Sequence, residues 1–309
     1  MNPRHGVTSS DPFNTVLEHP AIGRALAAED LPDAYERLLE ARIVPMARAL
    51  ADWVRASPGV PLLGINGAQA SGKSTLALFL SLLLDRAASL RCPVISIDDI
   101  YATRTERVQL AQDIHPLLMT RGVPGTHDIG LGASVIEQLQ DETRTSVVRI
   151  PRFDKSADDR CAPGDWTRWA GPAHLVILEG WCVGCPPQDP EALEEPVNQL
   201  ERDEDPGGEW RHFVNRQLQG PYARFFDKLD RLIMLRAPGF ECVFDWRLEQ
   251  ERKLEARLAR EGRRGERLLN EETLRRFLDH YERLTTHMLQ VLPPRADTLV
   301  ELDKARGWL

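Results

Sequence analysis

A short run of residues combines glycines with a lysine and a serine at a spacing that suits phosphate binding. Residues 67–74 read GAQASGKS, with four residues between the two glycines and with Lys73 and Ser74 after the second. Glycines allow the backbone to wrap around a phosphate, so that its N–H groups and the start of a following helix face negative charge. At this spacing the lysine reaches the β- and γ-phosphates and the serine hydroxyl binds Mg²⁺. The run therefore predicts a site for a nucleoside triphosphate with Mg²⁺.

The flanking sequence supports the same interpretation. Residues 60–66 form a short apolar run typical of a buried parallel strand, and residues 73–88 have the pattern of a helix. A strand before the run and a helix after it distinguish a phosphate-binding loop (P-loop) from an incidental turn. We therefore predict a catalytic role for Lys73 and nucleotide contacts from Gly67, Ala68, Gln69, Ala70, Ser71, Gly72, Lys73, Ser74 and Thr75.

Two neighbouring carboxylates, Asp98 and Asp99, end the next predicted strand (residues 93–98), and Tyr101 follows them. In a parallel α/β sheet, ligands bind beyond the carboxyl ends of the strands, so these side chains should face the same crevice as the phosphates. A carboxylate there can accept the proton of an attacking hydroxyl or help to hold Mg²⁺. The alternative is that the two acids cap the next helix.

A third acid, Glu179, ends the apolar run of residues 174–180. This is the place where P-loop proteins have an acid that reaches Mg²⁺ directly or through water. A carboxylate at the end of a buried strand is unfavourable unless something pairs with it, and the ion supplies that partner. We predict Ser74 and Glu179 as the metal-binding residues. A solvated glutamate at a strand end is the alternative.

The rest of the chain alternates between strands and helices. Further strands are predicted at residues 146–151, 174–180, 230–237 and 297–303, and a loop at residues 120–132. Further helices are predicted at 105–114, 133–142, 246–264 and 271–291, and an N-terminal one at 32–57 with a kink at Pro45. This order predicts an α/β fold in which a mostly parallel sheet is covered by helices on both faces, a three-layer α/β/α arrangement.

Composition excludes several classes of partner. The net charge of −8 argues against a nucleic-acid ligand. No apolar run is long enough to span a membrane and the N-terminus lacks an apolar signal, so we predict no membrane partner and a cytoplasmic location. Five cysteines, an odd number, indicate reduced thiols. Cys182 and Cys185 form a CxxC pair, for which two thiols in a loop are favoured over redox or metal chemistry.

Six segments resemble, in order and spacing, those of the D-glycerate 3-kinase family, a branch of the P-loop group that also holds uridine kinase, phosphoribulokinase and pantothenate kinase. They are GINGAQASGKSTL at 64–76, SIDDIY at 96–101, TRGVPGTHD at 120–128, PRFDKSADDR at 151–160, LEGWCVG at 178–184 and WRLEQE at 246–251. The resemblance covers roughly residues 63–281. It implies a kinase that uses ATP and Mg²⁺ to phosphorylate a small-molecule hydroxyl, with D-glycerate converted to 3-phosphoglycerate.

The resemblance also implies roles for individual residues. Asp98, rather than Asp99, corresponds to the catalytic base. Arg247 lies on the helix that corresponds to a lid over the phosphates, and it is implied to neutralise the transferring group. A salt-bridged solvent face is the alternative for that helix, and a satisfied loop histidine is the alternative for His127. The residues assigned to the acceptor substrate are Asp99, Tyr101, Arg121, His127, Asp128, Asp154, Lys155 and Arg160.

The same comparison suggests a division of the chain. We predict an N-terminal helical extension at residues 1–57 and a P-loop kinase domain at 58–309, with an acidic surface insertion at 186–208 and a lid region at 240–265. The insertion departs from the family pattern, as does Cys185, where an aromatic residue is expected; both bear on the acceptor. Two alternatives stay open, namely a kinase for another small alcohol such as pantothenate or a nucleoside, and a non-catalytic ATP-binding regulatory protein.

Overall fold

The computed structural model describes residues 11–260 and 270–309 of the chain. Among these residues the helices are α1 Pro20–Ala28, α2 Asp33–Leu38, α3 Val44–Ala56, α4 Lys73–Ala88, α5 Arg104–Asp113, α6 Ile129–Gln140, α7 Gln199–Glu204, α8 Glu209–Gln217, α9 Ala223–Phe226, α10 Phe240–Arg260 and α11 Glu271–Val291. The strands are β1 Leu62–Gly67, β2 Val94–Ser96, β3 Val148–Ile150, β4 Phe153–Asp154, β5 Asp159–Arg160, β6 Thr167–Trp169, β7 Val176–Gly180, β8 Arg231–Arg236 and β9 Thr298–Glu301.

A sheet of five parallel strands forms the middle layer, in the order β2-β7-β1-β8-β9. Every residue of β1 and β7 is buried, as expected for apolar strands that are covered on both faces. The register places Glu179 of β7 opposite Ile65 of β1 on one side and opposite Ser96 of β2 on the other. The carboxyl ends of these three strands therefore lie side by side, which brings the P-loop, Glu179 and Asp98 to one edge of the sheet.

Side chains from the strands alternate between two apolar cores. Leu63 and Ile65 of β1 and Ile177 of β7 lie in the core formed with α3 and α4. Leu62 and Leu178 lie in the other core, which includes residues of α6, α8 and α11. Successive residues of a strand point to opposite faces of the sheet, so each core covers one face. The predicted three-layer α/β/α fold with a mostly parallel sheet is confirmed.

The helices that precede β1 pack against the same core as α4. Ile43 and Ala47 are buried there together with Phe79 of α4. Pro45 lies in the first turn of α3, and the turn before it, Leu39–Ile43, is π-helical. Proline lacks an N–H group and clashes with the carbonyl four residues earlier, and the wider π turn relieves that clash. The division of the chain at residue 57 stays a prediction.

Three predicted elements differ from the structure. The Asp128 side chain accepts a hydrogen bond from the Leu131 N–H and begins α6 at Ile129, so the loop predicted to run to residue 132 is shorter. Strand β3 pairs with β6 in a separate antiparallel sheet and not with the central one. Helix α10 begins at Phe240, before the predicted start at 246, and residues 261–265 of the lid region lie outside the described residues. No described helix is both long and apolar enough to cross a membrane.

The acidic segment at residues 186–208 is exposed along much of its length, but it is anchored from within. Leu193, Leu200 and Glu201 are buried. Arg283 of α11 donates two hydrogen bonds, of 2.7 and 2.6 Å, to the carboxylate of Glu201. A buried ion pair therefore attaches this surface segment to α11, which its composition does not reveal.

Candidate active site at the carboxyl ends of the strands

The P-loop has a backbone geometry that depends on its glycines. A Cβ atom at Gly67 would lie 2.5 Å from Ser71 Oγ, and Gly72 has φ of +92°, a conformation that strains any residue with a side chain. Helix α4 begins at the next residue, Lys73, and runs for 16 residues. The loop and the amino-terminal end of this helix therefore form a concave group of N–H donors that favours phosphate binding.

Ser74, Lys73 and Glu179 meet behind this loop. The Ser74 hydroxyl donates to Glu179 Oε1 at 3.0 Å, and Lys73 Nζ lies 4.0 Å from Glu179 Oε2. Glu179 is buried, and its Oε2 atom has no hydrogen-bond partner among the described residues. A buried carboxylate oxygen without such a partner is unfavourable. A hydroxyl and a carboxylate with a spare oxygen have the chemistry that Mg²⁺ requires.

Asp98 lies in a 3₁₀ turn, Ile97–Ile100, directly after β2. Its Oδ1 atom accepts a hydrogen bond from the Tyr101 hydroxyl, and its Oδ2 atom accepts one from Lys155 Nζ, both at 2.7 Å. Burial by itself would raise the pKa of Asp98, but the charges of Lys155 and Lys73 outweigh burial and hold this pKa below its usual value. Asp98 is thus ionised at neutral pH, and each oxygen has a lone pair left for a further hydrogen bond.

Asp99 points to a different place. Its Oδ2 atom accepts from Arg152 Nη1 at 2.8 Å, and its Oδ1 atom accepts from the Phe153 backbone N–H at 3.2 Å. Burial raises the pKa of Asp99, and the Arg152 charge and the Phe153 N–H offset this only in part. Because protein groups bind both oxygens, Asp99 stabilises the start of β4. The structure thus gives Asp99 a structural role, and the substrate contact predicted for it stays a prediction.

The loop at residues 120–128 packs directly beside the Asp98 turn. The Asp128 N–H donates to the Ile100 carbonyl at 2.7 Å, and the Ala102 N–H donates to the Thr126 carbonyl at 2.9 Å. These bonds place the His127 ring on the ring of Tyr101, with centroids 4.6 Å apart. The predicted acceptor residues Tyr101 and His127 are thus brought next to Asp98.

Arg121, the basic residue at the start of this loop, is held by an acid. Its Nη1 atom pairs with the carboxylate of Asp158, and its guanidinium lies over the ring of Phe153 at 5.4 Å. The same carboxylate accepts from the buried Arg107 at 3.2 Å. Asp158 has φ of +58°. One aspartate in a left-handed conformation therefore binds two arginines.

Arg160 and Asp154 are also bound by neighbouring groups. Arg160 Nη1 pairs with Asp128 at 3.0 Å, and its Nη2 lies 3.6 Å from Glu106. Asp154 Oδ1 accepts from the backbone N–H groups of residues 156 and 157 at 2.8 and 3.1 Å, and so stabilises the turn between β4 and β5. The structure therefore brings the predicted acceptor residues together, with both arginines paired to acids of the same cluster.

Known proteins similar to this chain are kinases. An uncharacterized kinase, mug58, of Schizosaccharomyces pombe is 35% identical over 236 residues, which span 71% of this chain and 78% of that protein. The chloroplastic D-glycerate 3-kinase of Arabidopsis thaliana is 26% identical over 227 residues, but these span only 46% of its length. A D-glycerate 3-kinase structure from Cryptococcus neoformans has a TM-score of 0.68 at 24% identity, and covers 85% of this chain and 97% of that one.

This chain belongs to the D-glycerate 3-kinase family of P-loop kinases. No protein-family model matches the kinase. The family resemblance carried by the six sequence segments is confirmed by these relatives, and the fold by the structural similarity.

The helix that holds Arg247 in this kinase is lined with internal ion pairs. Arg247 Nη2 lies 2.6 Å from Glu251 Oε1, and Lys253 Nζ lies 2.7 Å from Glu249. The indole N–H of Trp246 donates to the Lys304 carbonyl at 2.8 Å and ties α10 to the segment after β9. These contacts match the alternative of a salt-bridged helix, and the catalytic role of Arg247 stays a prediction.

Both thiols of the CxxC pair are buried in the kinase. Burial is the main cause that raises the pKa of Cys182 and that of Cys185 above the usual value. Both groups are therefore protonated thiols at neutral pH and are not activated nucleophiles. This agrees with two thiols in a loop after a buried strand.

Several residues that support the site of the kinase were not assigned from the sequence. The Asn66 amide donates to the Trp181 and Val183 carbonyls at 3.1 and 2.8 Å, which joins the ends of β1 and β7. The Trp181 indole N–H donates to the Gly122 carbonyl at 2.9 Å. Tyr222 contacts His127 from a segment with no motif. Asn66 and Trp181 lie inside two of the six family segments, at 64–76 and 178–184, and so were open to detection from the sequence, whereas Tyr222 lies in none of them.

Proposed function

We propose that this kinase transfers a phosphoryl group from ATP, with Mg²⁺, to D-glycerate and forms 3-phosphoglycerate. The observation that carries the proposal is a set of three cations on the acceptor side of the P-loop sheet. Lys155 binds the carboxylate of Asp98, and Arg121 and Arg160 pair with Asp158 and Asp128 in the neighbouring segments. A small anionic alcohol is the acceptor that such a site suits. The name of the Arabidopsis relative supports the same acceptor.

The nucleotide would be held by the P-loop. Its backbone N–H groups face the phosphates, and Lys73 supplies a positive charge near the transferring group. Ser74 and Glu179 would hold Mg²⁺, which neutralises charge on the phosphates when it is bound. The loose transition state of phosphoryl transfer leaves the protein mainly with positioning and charge stabilisation, so a preformed loop suits the reaction.

Asp98 would orient the attacking hydroxyl and take its proton. The neighbouring cations keep Asp98 ionised, which makes it a weak base. A weak base suffices because bond formation to the nucleophile is little advanced in a loose transition state, so the proton leaves late. The Tyr101 hydroxyl donates to Oδ1 and fixes the orientation of the carboxylate.

The carboxylate of D-glycerate needs a cationic partner, because so small a molecule gains little from apolar contact. Arginine can bind a carboxylate through two parallel hydrogen bonds, and such charged bonds are about twice as strong as neutral ones. Arg121 and Arg160 are the candidates for this role. Each is paired with an aspartate in the structure, so the substrate would share the guanidinium with Asp158 or Asp128.

The test is a measurement of ADP release with a panel of acceptors. We expect turnover with D-glycerate, and little with glycerol, pantothenate or nucleosides. Glycerol lacks the carboxylate and could not form the charged hydrogen bonds to Arg121 or Arg160, which disfavours its binding relative to D-glycerate. Efficient phosphorylation of glycerol would contradict the D-glycerate assignment. ADP release that does not depend on any acceptor would favour the regulatory ATP-binding alternative.

Two variants test whether the turnover measured with these acceptors depends on the P-loop. Lys73→Ala should lower kcat about 100-fold or more, because a charge aimed at the phosphates contributes several kcal/mol to the transition state. Lys228→Ala removes a lysine that pairs with Glu137 at the surface and should leave turnover unchanged. Similar activity in the two variants would contradict catalysis at the P-loop.

A further inference from the structure

His127 has two ring nitrogens in very different surroundings. The side chain is 7% exposed, and its ring stacks on Tyr101 and meets the edge of the Tyr222 ring. The Nδ1 atom lies 2.6 Å from the Tyr222 hydroxyl. The Nε2 atom is buried and has no hydrogen-bond partner in the part of the chain that the structure describes.

The Tyr222 hydroxyl decides which nitrogen carries the proton. This hydroxyl accepts a hydrogen bond from the Gly125 backbone N–H at 2.9 Å, so its own proton needs another partner. Among residues 11–260 and 270–309, the acceptor bonded to it is His127 Nδ1. A neutral imidazole carries a single proton, and a ring that accepts at Nδ1 must hold this proton on Nε2.

The ring stays neutral under ordinary conditions. Burial lowers the pKa of His127 to about 3, and burial raises the pKa of Tyr222 well above its usual value. His127 Nε2–H is therefore a neutral donor in a buried place beside Asp98. Buried donors are nearly always paired, so a partner from outside the chain is expected.

We propose that His127 Nε2–H donates a hydrogen bond to the hydroxyl of the acceptor that is not phosphorylated, and that Tyr222 is a positioning residue that fixes His127 in this tautomer. For D-glycerate this is the C2 hydroxyl, and the inference rests on the function proposed above. A neutral donor suits a neutral hydroxyl, whereas the arginines suit the carboxylate. Because His127 packs on Tyr101, which binds Asp98, this contact would hold the other hydroxyl near the base.

The decisive substrate is 3-hydroxypropanoate, which keeps the carboxylate and the primary alcohol of D-glycerate but lacks the C2 hydroxyl. The ratio of kcat/KM for D-glycerate to that for 3-hydroxypropanoate measures the contribution of this hydroxyl. His127→Phe keeps a ring on Tyr101 and removes both nitrogens. We expect this variant to lower kcat/KM for D-glycerate about tenfold or more and to change kcat/KM for 3-hydroxypropanoate about twofold or less. KM for ATP should stay unchanged.

Two further variants separate the hydrogen bond from packing. His127→Gln can place an amide N–H near the position of Nε2 and should restore part of the lost ratio. Tyr222→Phe removes only the hydroxyl, which frees the imidazole to take either tautomer. This variant should lower the ratio of the two kcat/KM values less than His127→Phe does. An equal loss for both substrates in His127→Phe would overturn the inference, because it would mean that His127 only supports the fold.

A measurement on the unchanged protein covers the case in which a variant does not fold. ¹⁵N spectra of the histidine rings should show a proton on Nε2 and none on Nδ1 of His127, and D-glycerate should shift the Nε2 signal. A proton on Nδ1, or an Nε2 signal that does not respond to D-glycerate, would overturn the inference. If the parent protein fails to phosphorylate D-glycerate, both the proposed function and this inference are contradicted. If the parent protein is active but His127→Phe leaves the ratio of the two kcat/KM values unchanged, only this inference is contradicted.

Discussion

Asp98 and Asp99 are neighbours in sequence but belong to different parts of the molecule. Asp98 faces the P-loop, where Lys73 and Lys155 lower its pKa. Asp99 turns towards β4, where Arg152 and the Phe153 N–H bind both of its oxygens. A tight turn after β2 sends the two side chains in these two directions. The two adjacent carboxylates thus have different partners, and we expect chemistry from Asp98 and support from Asp99.

This division predicts different outcomes for the two amide variants. Asp98→Asn removes the proton acceptor and should lower kcat about 100-fold or more, with KM for ATP little changed. Asp99→Asn weakens a buried, charged hydrogen bond and should lower the free energy of unfolding by about 1–3 kcal/mol, with a smaller loss in kcat. Steady-state kinetics and denaturant unfolding of both variants provide the test. A larger loss in kcat for Asp99→Asn would identify it as the base instead.

Glu179 predicts a dependence on metal concentration. Its buried Oε2 atom has no hydrogen-bond partner among the described residues, and this atom could instead bind a metal ion. Glu179→Gln keeps the shape but loses the charge, so the Mg²⁺ concentration for half-maximal rate should rise about tenfold or more. Glu137→Gln, at a surface ion pair, is the control and should not change this value. Equal Mg²⁺ dependence in all three proteins would leave Glu179 as a structural strand end.

Residues within motifs could be assigned from the sequence, because a motif fixes several types at fixed spacing. The P-loop residues, Asp98 and Glu179 are of this kind. Tyr222 and Arg107 could not be assigned, since each reaches the site from an element that carries no motif. The acids that pair with Arg121 and Arg160 could not be assigned either, because the choice of partner depends on side-chain placement that spacing does not determine.

At the scale of elements, the loop at residues 120–128 depends on its glycines, of which Gly122 has the closest neighbour. Gly122 has φ of +134°, and a Cβ atom there would lie 1.9 Å from the Tyr281 hydroxyl. That hydroxyl donates to the Arg121 carbonyl at 3.0 Å, and the Trp181 indole N–H donates to the Gly122 carbonyl. Two other elements, α11 and the segment after β7, therefore fix the loop that holds Arg121 and His127.

We expect Gly122→Ala to disturb both stability and acceptor binding. The strained φ and the clash should lower the free energy of unfolding by at least about 2 kcal/mol. KM for D-glycerate should rise while KM for ATP changes little, because the loop lies on the acceptor side. Gly23→Ala is the control, since nothing lies within 4 Å of the Cβ position of this residue in α1. This substitution should raise the free energy of unfolding by about 0.5–1 kcal/mol. Equal stability of the two variants would show that the loop adjusts without strain.

The predicted helices and strands match the structure where the local sequence pattern agrees with the burial of the residues. Helix α4, helix α11 and strands β1, β7 and β8 lie close to their predicted ends because long apolar runs or a strong helical pattern define them. Strand β3 was placed in the wrong sheet, because three residues carry too little pattern to select a partner. Helices α8 and α9 were not predicted, since their burial comes from contacts that only the folded core provides.

For the whole molecule, α11 connects the acidic segment to the active site. Helix α11 carries Tyr281, which binds the Arg121 carbonyl, and, two residues later, Arg283, which binds Glu201 of α7. Arg283 also donates to the Ala192 and Glu195 carbonyls. The segment at 186–208 is therefore attached through a buried guanidinium to the same helix that supports the acceptor loop. We therefore expect loss of that attachment to weaken binding of the acceptor substrate.

Arg283→Met tests this connection. The substitution leaves Glu201 as an unpaired carboxylate that is 0% exposed, so the free energy of unfolding should fall by about 3–5 kcal/mol. KM for D-glycerate should rise together with this loss if α11 shifts. Arg276→Met is the matched control: Arg276 lies on the same helix and pairs with Glu204 of the same segment, but at the surface. Arg276→Met should lower the free energy of unfolding by about 1 kcal/mol or less.

The double variant Arg283→Met with Glu201→Met separates charge from packing. Removing both partners leaves no unpaired charge, and buried ion pairs replaced by apolar groups of similar size are often close to neutral. The double variant should therefore recover a large part of the stability that Arg283→Met loses. Denaturant unfolding of the parent, Arg283→Met, Glu201→Met and the double variant measures the coupling. If Arg283→Met is no more destabilising than Arg276→Met, the buried pair does not anchor the segment. If stability falls but KM for D-glycerate stays constant, α11 holds the acceptor loop independently of the acidic segment.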